Sequence, residues 1–304
     1  LQEAELSTRK AIELNPDFAN AYSNLGNILK DIGNLQAAEL FTRKAIELNP
    51  DFPEAHSNLG IILKDVGKLK EAQLSAHKAI ELKPDYPEAF TNLGDILRES
   101  GEFQKANNAY QKSLEIDSKQ IHLISKIIYT LSRLCMWDGI EKYSTYLNRI
   151  GIEGKAVEPL TLMYIEDNPL NHLKRAIKYA NEKKREELPN INCKSKNKIH
   201  IGYFSSDFKN HPVTHLLIRT LELHDQSKFE VYAYSLSDIQ DDYTIRVKNA
   251  VSIFREINHL SDLDIVKVAR NDQLDIAIDL NGFTQNNRIS IFFYRVAPIQ
   301  INYL

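Results

Sequence analysis

The sequence predicts two architectures in succession, an α-solenoid of helical hairpins and then an α/β lobe built on a parallel sheet. Six columns of identical residues recur every 34 positions within residues 1–117, and this period predicts the solenoid. Within residues 196–304, short runs rich in β-branched and aromatic residues alternate with helical segments, and this alternation predicts the lobe. Residues 118–195 keep neither pattern, so we assign them to a helical cap and a linker.

The columns of the repeat each have a structural role. Glycine at one column lets two helices approach closely, and glycine seven residues later suits the left-handed conformation that ends a helix. Proline stops the helix before it because proline has no N–H to donate. The apolar spacing predicts helix A near 19–32 and helix B near 35–48 of the first complete unit. The columns are Pro16, Pro50 and Pro84; Asp17, Asp51 and Asp85; Leu25, Leu59 and Leu93; Gly26, Gly60 and Gly94; Gly33, Gly67 and Gly101; Ala38, Ala72 and Ala106.

A polar column suggests a ligand on the concave face of the solenoid. Asn24, Asn58 and Asn92 recur at one position of helix A. A side-chain amide offers one acceptor and a donor group, which match a peptide backbone whatever side chains that peptide carries. We therefore interpret the column as a peptide-binding rung. Two alternatives stay open at this point: these amides bond only to neighbouring helices, or the repeats are a scaffold without a ligand.

The segment between the two architectures is helical in pattern over 119–150 and irregular over 151–170, and a further helix is predicted near 170–186. We interpret the first part as a modified hairpin that covers the apolar end of the solenoid. Met136 and Trp137 are expected to pack inside it.

The predicted lobe contains five strands and four helices. Parallel strands covered on both faces read as continuous apolar runs, and their ligands bind at the carboxyl ends of the strands. The predicted strands are 199–205, 229–236, 251–257, 274–280 and 299–304, and the predicted helices are 212–223, 242–250, 261–272 and 287–295.

The first strand end carries the sequence SSDFKNHP. Pro212 suits the first turn of a helix, which leaves His211 at the helix cap with its ring facing the strand ends. A histidine there can take up a proton near neutral pH or bond a phosphate, and a purely structural cap is the alternative. His215 follows at a spacing that zinc sites use, but no third ligand is evident, so we expect no metal.

The fourth strand end carries the sequence DLNGFT. Asp279, Asn281 and Thr284 offer polar groups to a ligand, and Gly282 permits close approach of the backbone. The alternative is a turn whose side chains bond only to their own backbone. We take these three polar residues as candidates for substrate binding.

Composition narrows the classes of function. Of the 304 residues, 43% are hydrophobic and 26% are charged, as in ordinary globular proteins, and no run approaches the roughly 20 apolar residues of a membrane span. A net charge of −3 gives no positive field for nucleic acid. Cys135 and Cys193 have no disulfide or metal pattern, which favours a reducing compartment, and we expect a cytoplasmic protein.

The order of the parts resembles a known family. The 34-residue unit is similar to the tetratricopeptide repeat. The amide column, the helical spacer, the motif IGYFSSDFKNHPVTHLL and the segments DLNGFTQNNR and APIQINYL together resemble the protein O-linked N-acetylglucosamine transferases, including the Spindly-like members.

The resemblance implies a fold of two Rossmann-like lobes of the B type, of which residues 196–304 correspond to the amino-terminal one. It implies transfer of N-acetylglucosamine from UDP-N-acetylglucosamine to Ser or Thr of proteins, with inversion and without a metal or other cofactor. His211 matches the active-site histidine of the family, and Asn281 and Thr284 match polar residues near sugar and acceptor. The Asn column matches the asparagine ladder that presents acceptor proteins, and a homodimer through the repeats is a further expectation.

The chain stops in the last strand of the first lobe, so we expect a fragment of a longer protein. In the family a second lobe carries most of the contacts to the nucleotide, and the 304 residues alone are therefore expected not to turn over. Two alternatives stay open: a Spindly-like transferase that uses GDP-fucose, and a non-enzymatic adaptor in which the repeats bind peptides.

Overall fold

The computed structural model describes residues 2–183, 188–189, 191, 196–284 and 287–303. They form two compact units, of which the first ends at Val157 and the second begins at Glu158. This division falls within the segment assigned from sequence to the cap and linker.

The first unit contains an array of helical hairpins. The observed helices coincide with the predicted helix A and helix B at 19–32 and 35–48, so the period of 34 is confirmed. The helices are α1 (Gln2–Leu14), α2 (Ala19–Ile32), α3 (Leu35–Leu48), α4 (Pro53–Asp65), α5 (Leu69–Leu82), α6 (Pro87–Glu99) and α7 (Phe103–Ile116).

Glycine permits both the turn between the two helices of a hairpin and their close packing. The residue after α2, Gly33, has a φ of +93°, a left-handed conformation that other residues adopt at a cost. At Gly94, inside α6, a Cβ atom would lie 2.4 Å from the ring of Tyr110 on α7. Close contact at such positions lets small residues of the B helices, such as Ala38 and Ala45, become fully buried.

The cap consists of α8 (Leu123–Arg133), the one-turn helix α9 (Trp137–Glu141) and a short 3-10 turn at Ser144–Tyr146. The apolar face of α8 is buried, but Met136 and Trp137 are 45% and 56% exposed, so the prediction that they pack inside the cap is wrong. The chain turns after the end of α8, where Cys135 has a φ of +57°. Because α9 is only five residues long and buries none of them, it gives Trp137 no face to pack against.

The second unit contains a five-stranded sheet of entirely parallel strands, in the order β3-β2-β1-β4-β5. The parallel sheet predicted from sequence is therefore confirmed. The predicted helix at 287–295 is shortened to one turn, and residues 184–186 of the predicted linker helix lie outside the described residues. The elements are α10 (Leu160–Met163), α11 (Pro169–Lys183), β1 (Ile199–Ser205), α12 (Pro212–Glu222), β2 (Phe229–Ser235), α13 (Asp242–Ala250), β3 (Ile253–Glu256), α14 (Asp262–Asn271), β4 (Ile276–Asp279), α15 (Ser290–Phe293) and β5 (Ile299–Asn302).

The sheet has an apolar layer on each face. One layer packs Phe204 and Tyr234, whose rings stack with centroids 4.3 Å apart, against α14 and α15. The other layer packs Ile201 and Val231 against α12 and α13. Because the chain runs from β1 outward to β3 and then returns to β4, the strand order reverses between β1 and β4. Within the described part of the chain, we find no helix with the length and apolar character needed to cross a membrane.

Candidate functional site

The candidate site lies at the carboxyl ends of β1 and β4, where the strand order reverses. In open α/β sheets this reversal opens a crevice in which ligands bind. Phe204 of β1 is in register with Asp279 of β4, so the two polar loops that the sequence singled out begin side by side. The structure therefore brings the SSDFKNHP loop and the DLNGFT loop together.

Asn281 fastens the two loops to each other. Its Oδ1 accepts a hydrogen bond from the backbone N–H of Ser206 at 2.8 Å. Its Nδ2 donates to Ser206 Oγ at 3.1 Å and to Asp207 Oδ2 at 2.7 Å. The side chain is only 3% exposed, and both of its donors are used within the protein. In this structure Asn281 therefore shapes the site by bonding the two loops together.

Asp279 is a buried carboxylate beside this junction. Its Oδ1 accepts the backbone N–H of Asn281 at 3.0 Å. Its Oδ2 is also buried, and no described residue gives that atom a hydrogen bond. Burial raises the pKa of Asp279, and the bonds from the backbone N–H groups of Asn281 and Gly282 oppose that rise. Asp279 thus holds an acceptor that the described residues leave unsatisfied.

Thr284 lies at the exposed end of the same turn. Its hydroxyl donates to the carbonyl of Asn281 at 2.7 Å, and its backbone N–H bonds the same oxygen at 3.1 Å. Gly282 has a φ of +54°, which the turn requires. Asp279 and Thr284 therefore make the local turn bonds that were the alternative interpretation, and Thr284 is exposed.

His211 is the N-cap of α12, as its position before Pro212 predicted. Its backbone is extended, with φ −147° and ψ 147°, and its Nδ1 accepts the backbone N–H of Val213 at 3.3 Å. Because Nδ1 accepts, Nε2 carries the proton of the neutral ring and is a hydrogen-bond donor in this arrangement. The side chain is 39% exposed, and its Nδ1 lies 3.8 Å from Asp207 Oδ2.

Asp207 is the residue at this edge to which the sequence assigned no role. Its carboxylate lies between Asn281 and His211, and its side chain is 14% exposed. Its backbone N–H is bonded by Ser205 Oγ at 3.0 Å, and its carbonyl accepts the hydroxyl of Thr214. The signal in the sequence was its position two residues after a buried strand, within the same motif as His211.

His215 does not share a metal site with His211 in the described structure. Its Nε2 lies 2.9 Å from Asn210 Oδ1, and its ring is 4.5 Å from that of Tyr243. Among the residues that the structure describes, no three His, Cys, Asp or Glu side chains are grouped so as to hold a metal ion.

The asparagine column of the first unit joins consecutive repeats. Asn58 Nδ2 donates to Ser23 Oγ at 3.1 Å, and Asn92 Nδ2 donates to Ser57 Oγ at 2.8 Å. Asn24 is exposed. Each paired amide thus bonds a neighbouring helix, which was the structural alternative, and it does so with a single donor. The other donor and the carbonyl oxygen of each amide find no partner among the described residues.

The column ends in a charged residue. Lys126 of α8 lies 34 residues after Asn92, and its ammonium bonds both carboxylate oxygens of Asp95 at 2.6 Å. Tyr110 donates its hydroxyl to the same carboxylate at 2.7 Å. An ion pair therefore replaces the amide where the repeats meet the cap.

Comparison with known proteins gives two kinds of match. Residues 175–304 match the family model described as glycosyl transferase family 41. Residues 19–52, 41–74 and 87–119 match models of the tetratricopeptide repeat. These matches agree, for residues 175–304 and for the repeats, with the resemblance drawn from the sequence motifs.

The curated relatives are much longer than the matched segment. The probable UDP-N-acetylglucosamine–peptide N-acetylglucosaminyltransferase SEC of Arabidopsis thaliana is 35% identical over 108 residues, which are 35% of this chain and 11% of that protein. The UDP-N-acetylglucosamine–peptide N-acetylglucosaminyltransferase of Caenorhabditis elegans is 38% identical over 115 residues, 35% of this chain and 10% of that protein. A probable transferase of Arabidopsis thaliana named SPINDLY is 32% identical over 110 residues and is covered to 12%.

Among solved structures, a mutant O-GlcNAc transferase of Thermobaculum terrenum is 22% identical with a TM-score of 0.48, and the match covers 94% of this chain and 50% of that one. The alignments to the curated relatives cover about a tenth of their length.

Proposed function

We propose that this chain, which joins tetratricopeptide repeats to part of a catalytic region of glycosyl transferase family 41, acts within an enzyme that transfers N-acetylglucosamine from UDP-N-acetylglucosamine to Ser or Thr hydroxyls of proteins, with inversion. The observation that carries the proposal is the junction that Asn281 makes between the two polar loops, with the ring of His211 accessible beside it. The names of the relatives support the choice of sugar.

An inverting transfer places the acceptor hydroxyl in line with the anomeric carbon, and its proton leaves as the new bond forms. Positioning of the reactants and stabilisation of the departing diphosphate account for most of the reduction in the activation barrier. His211 is our candidate catalytic residue, because its ring is exposed at the helix start and carries either a donor or an acceptor at Nε2. As a donor it would bond a phosphate oxygen, and as an acceptor it would take the hydroxyl proton.

The β4 loop is our candidate for binding the substrate. The unsatisfied Oδ2 of Asp279 can accept a hydrogen bond from a hydroxyl or an amide N–H, and so can the exposed hydroxyl of Thr284. Asn281 acts there chiefly by holding the loop in place. Following the family resemblance, we assign the contacts to uridine and diphosphate to a second lobe, which is why the 304 residues alone are expected not to turn over.

The acceptor protein is proposed to lie on the asparagine column of the repeats. Asn58 and Asn92 each keep a carbonyl oxygen and one amide hydrogen for an extended backbone. Such contacts select for an extended conformation and are indifferent to sequence. The repeats would then gather many acceptors, and the site would select Ser or Thr.

The test uses the protein expressed from its complete reading frame. It is incubated with protein acceptors and either UDP-N-acetylglucosamine or GDP-fucose, each labelled in the sugar, and the anomeric configuration of the product is determined. We expect transfer from the first donor with inversion. Transfer from GDP-fucose alone would replace the donor in the proposal. No transfer from either, together with tight binding of peptides, would favour the adaptor.

A further inference from the structure

We propose that Asp207 is a positioning residue for His211, and that its carboxylate stabilises the form of the ring with a proton on Nδ1 and thereby leaves Nε2 to face the substrate. The role of Asp207 in catalysis rests on the proposed function. Its effect on which ring nitrogen of His211 carries hydrogen does not.

Two groups of opposite character compete for Nδ1 of His211. The backbone N–H of Val213 donates to it across 3.3 Å, a long hydrogen bond. The carboxylate Oδ2 of Asp207 lies 3.8 Å away and can only accept. Without a proton, Nδ1 caps the helix and Nε2 is a donor. With a proton, Nδ1 gives up the cap bond and turns to Asp207.

The carboxylate of Asp207 is fixed and carries a charge that other groups neutralise only weakly. Asn281 Nδ2 holds its Oδ2 at 2.7 Å, and the Lys209 ammonium is 4.0 Å from its Oδ1. A fixed anion beside an imidazole favours the protonated nitrogen nearest to it, as in other carboxylate–histidine pairs. Oδ2, the oxygen that Asn281 bonds, is also the one 3.8 Å from Nδ1 of His211, so the loop after β4 positions the carboxylate beside the ring.

The other charged groups at this edge have partners of their own. Asp241, the N-cap of α13, accepts the backbone N–H of Asn210 at 2.6 Å and that of Thr244 at 3.0 Å. His215 bonds Asn210, and the ion pair that the described residues give Lys209 is the 4.0 Å one with Asp207. Asp207 is therefore the carboxylate that the described structure places in contact with the ring of His211.

The consequence for the reaction concerns the protons on the ring. In the neutral form with Nδ1–H directed at Asp207, Nε2 has a free lone pair and can take the proton of an acceptor hydroxyl. In the charged form both nitrogens carry hydrogen, so Nε2–H can donate to an anion while Asp207 balances the charge. Asp207 stabilises both of these forms, in which Nδ1 carries hydrogen. It does not stabilise the form in which Nδ1 accepts the N–H of Val213.

The test reads the protonation of each ring nitrogen from imidazole 15N chemical shifts in the 304-residue chain labelled at histidine. We expect His211 of the wild type to show a substantial population with hydrogen on Nδ1. Asp207→Asn should reduce the ratio of that population to the Nε2–H form about two- to fivefold, because an amide can donate to Nδ1 and an ion pair of this exposure is worth about 0.5–1 kcal/mol. Asp242→Asn removes the same charge at the start of α13 and should leave the ratio unchanged.

The signals of His215 report whether the fold is intact in each variant, because its ring packs on Tyr243 and bonds Asn210. An unchanged ratio in Asp207→Asn with native His215 signals would overturn the proposal. If that variant does not fold, the wild type decides alone: a ring found only in the neutral Nε2–H form between about pH 6 and 9 contradicts us.

Activity separates this proposal from the proposed function. In the complete protein, Asp207→Asn should lower kcat and change its pH profile while the KM for the acceptor stays the same. A ring that responds to Asp207 in a protein without transfer activity would support the positioning role and refute the function. Transfer activity with a pH profile that Asp207→Asn leaves unchanged would support the proposed function and refute the positioning role.

Discussion

Asn281 Oδ1 lies 2.8 Å from the backbone nitrogen of Ser206, so the loop after β4 is bonded to the backbone of the loop after β1. The two residues are 75 positions apart in sequence and both are buried. This bond, with the two that Asn281 Nδ2 donates, fixes the edge of the sheet at which the strand order reverses. The geometry of the proposed site therefore depends on a side chain that has little capacity left for substrate.

Asn281→Ala should loosen this edge. The substitution removes three hydrogen bonds and leaves the buried N–H of Ser206 without its acceptor, which costs about 2 kcal/mol or more. We expect amides of β1 and β4 to exchange their hydrogens about thirtyfold faster where exchange follows opening of the sheet. The matched control is Asn249→Ala on the exposed surface of α13, which should change exchange little. Equal exchange rates in the two variants would show that the junction is not a stabilising feature.

Asp279 should make the second unit less stable as the pH rises. Its pKa is raised in the folded protein, so the folded state holds the proton more tightly than the unfolded state. The contribution of Asp279 to stability is therefore complete below the ordinary aspartate pKa of 3.8 and is lost as the pH rises from that value through the folded pKa. Asp279→Asn should remove this loss and raise the free energy of unfolding at neutral pH.

The measurement is thermal unfolding of both proteins at a series of pH values. The advantage of Asp279→Asn should shrink towards zero as the pH falls below about 4, because the wild-type carboxyl is then neutral too. An advantage that does not depend on pH would mean that burial of the charge is not its cause. If Asp279 binds substrate, the more stable variant should also be the less active one.

Two substitutions distinguish peptide binding by the asparagine column from a purely structural role. If Asn58 binds peptide, Asn58→Ala should weaken the binding of an extended peptide to the repeats by about fivefold, the loss of roughly one hydrogen bond. Ser23→Ala removes the partner of Asn58 and leaves the amide in place. It should therefore lower the stability of the repeats slightly and leave peptide affinity unchanged. Affinity measured by fluorescence anisotropy that falls equally in both variants would support the structural interpretation.

Gly94→Ala should be the most disruptive change among the helix A glycines of the last two repeats. Its Cβ would lie 2.4 Å from the Tyr110 ring, and that ring is fully buried and bonded to Asp95. We expect a loss of about 2–3 kcal/mol in the free energy of unfolding. At Gly60 the nearest atom is a carbonyl oxygen 3.3 Å away, so Gly60→Ala should cost less. Chemical denaturation followed by circular dichroism compares the two, and an equal loss would show that Tyr110 can move aside.

The repeats were predictable from sequence because each of their structural requirements falls on a residue type that few others replace. Gly33 occupies a left-handed cap, and the helices around it begin and end where the period of 34 placed them. The strands were predictable for a similar reason, since apolar runs mark buried parallel strands. Trp137 was predicted wrongly because its exposure depends on where the chain turns at Cys135, and no apolar pattern records that turn.

The location of the site was predictable from the sequence, but the roles of its individual residues were less so. The rule that ligands bind at strand ends located both loops. It did not indicate that Asn281 would be buried in bonds to Ser206 and Asp207, because those partners are 75 and 74 residues away. Whether a polar side chain meets a ligand or a second loop is decided by long-range register. The sequence alone carries no sign of that register.

His211 allows a test in which the helix cap and the chemistry are separated. His211→Ala should lose both, with a cap loss of about 1 kcal/mol, whereas His211→Asn keeps a good N-cap and loses the imidazole. In the complete protein we expect both variants to transfer sugar about a hundredfold more slowly or worse, with near-normal stability only in His211→Asn. Lys209→Ala removes a nearby charge and should keep most of the rate. If His211→Asn transfers sugar as fast as Lys209→Ala does, the ring serves only to cap α12, and the base or phosphate contact must be sought elsewhere.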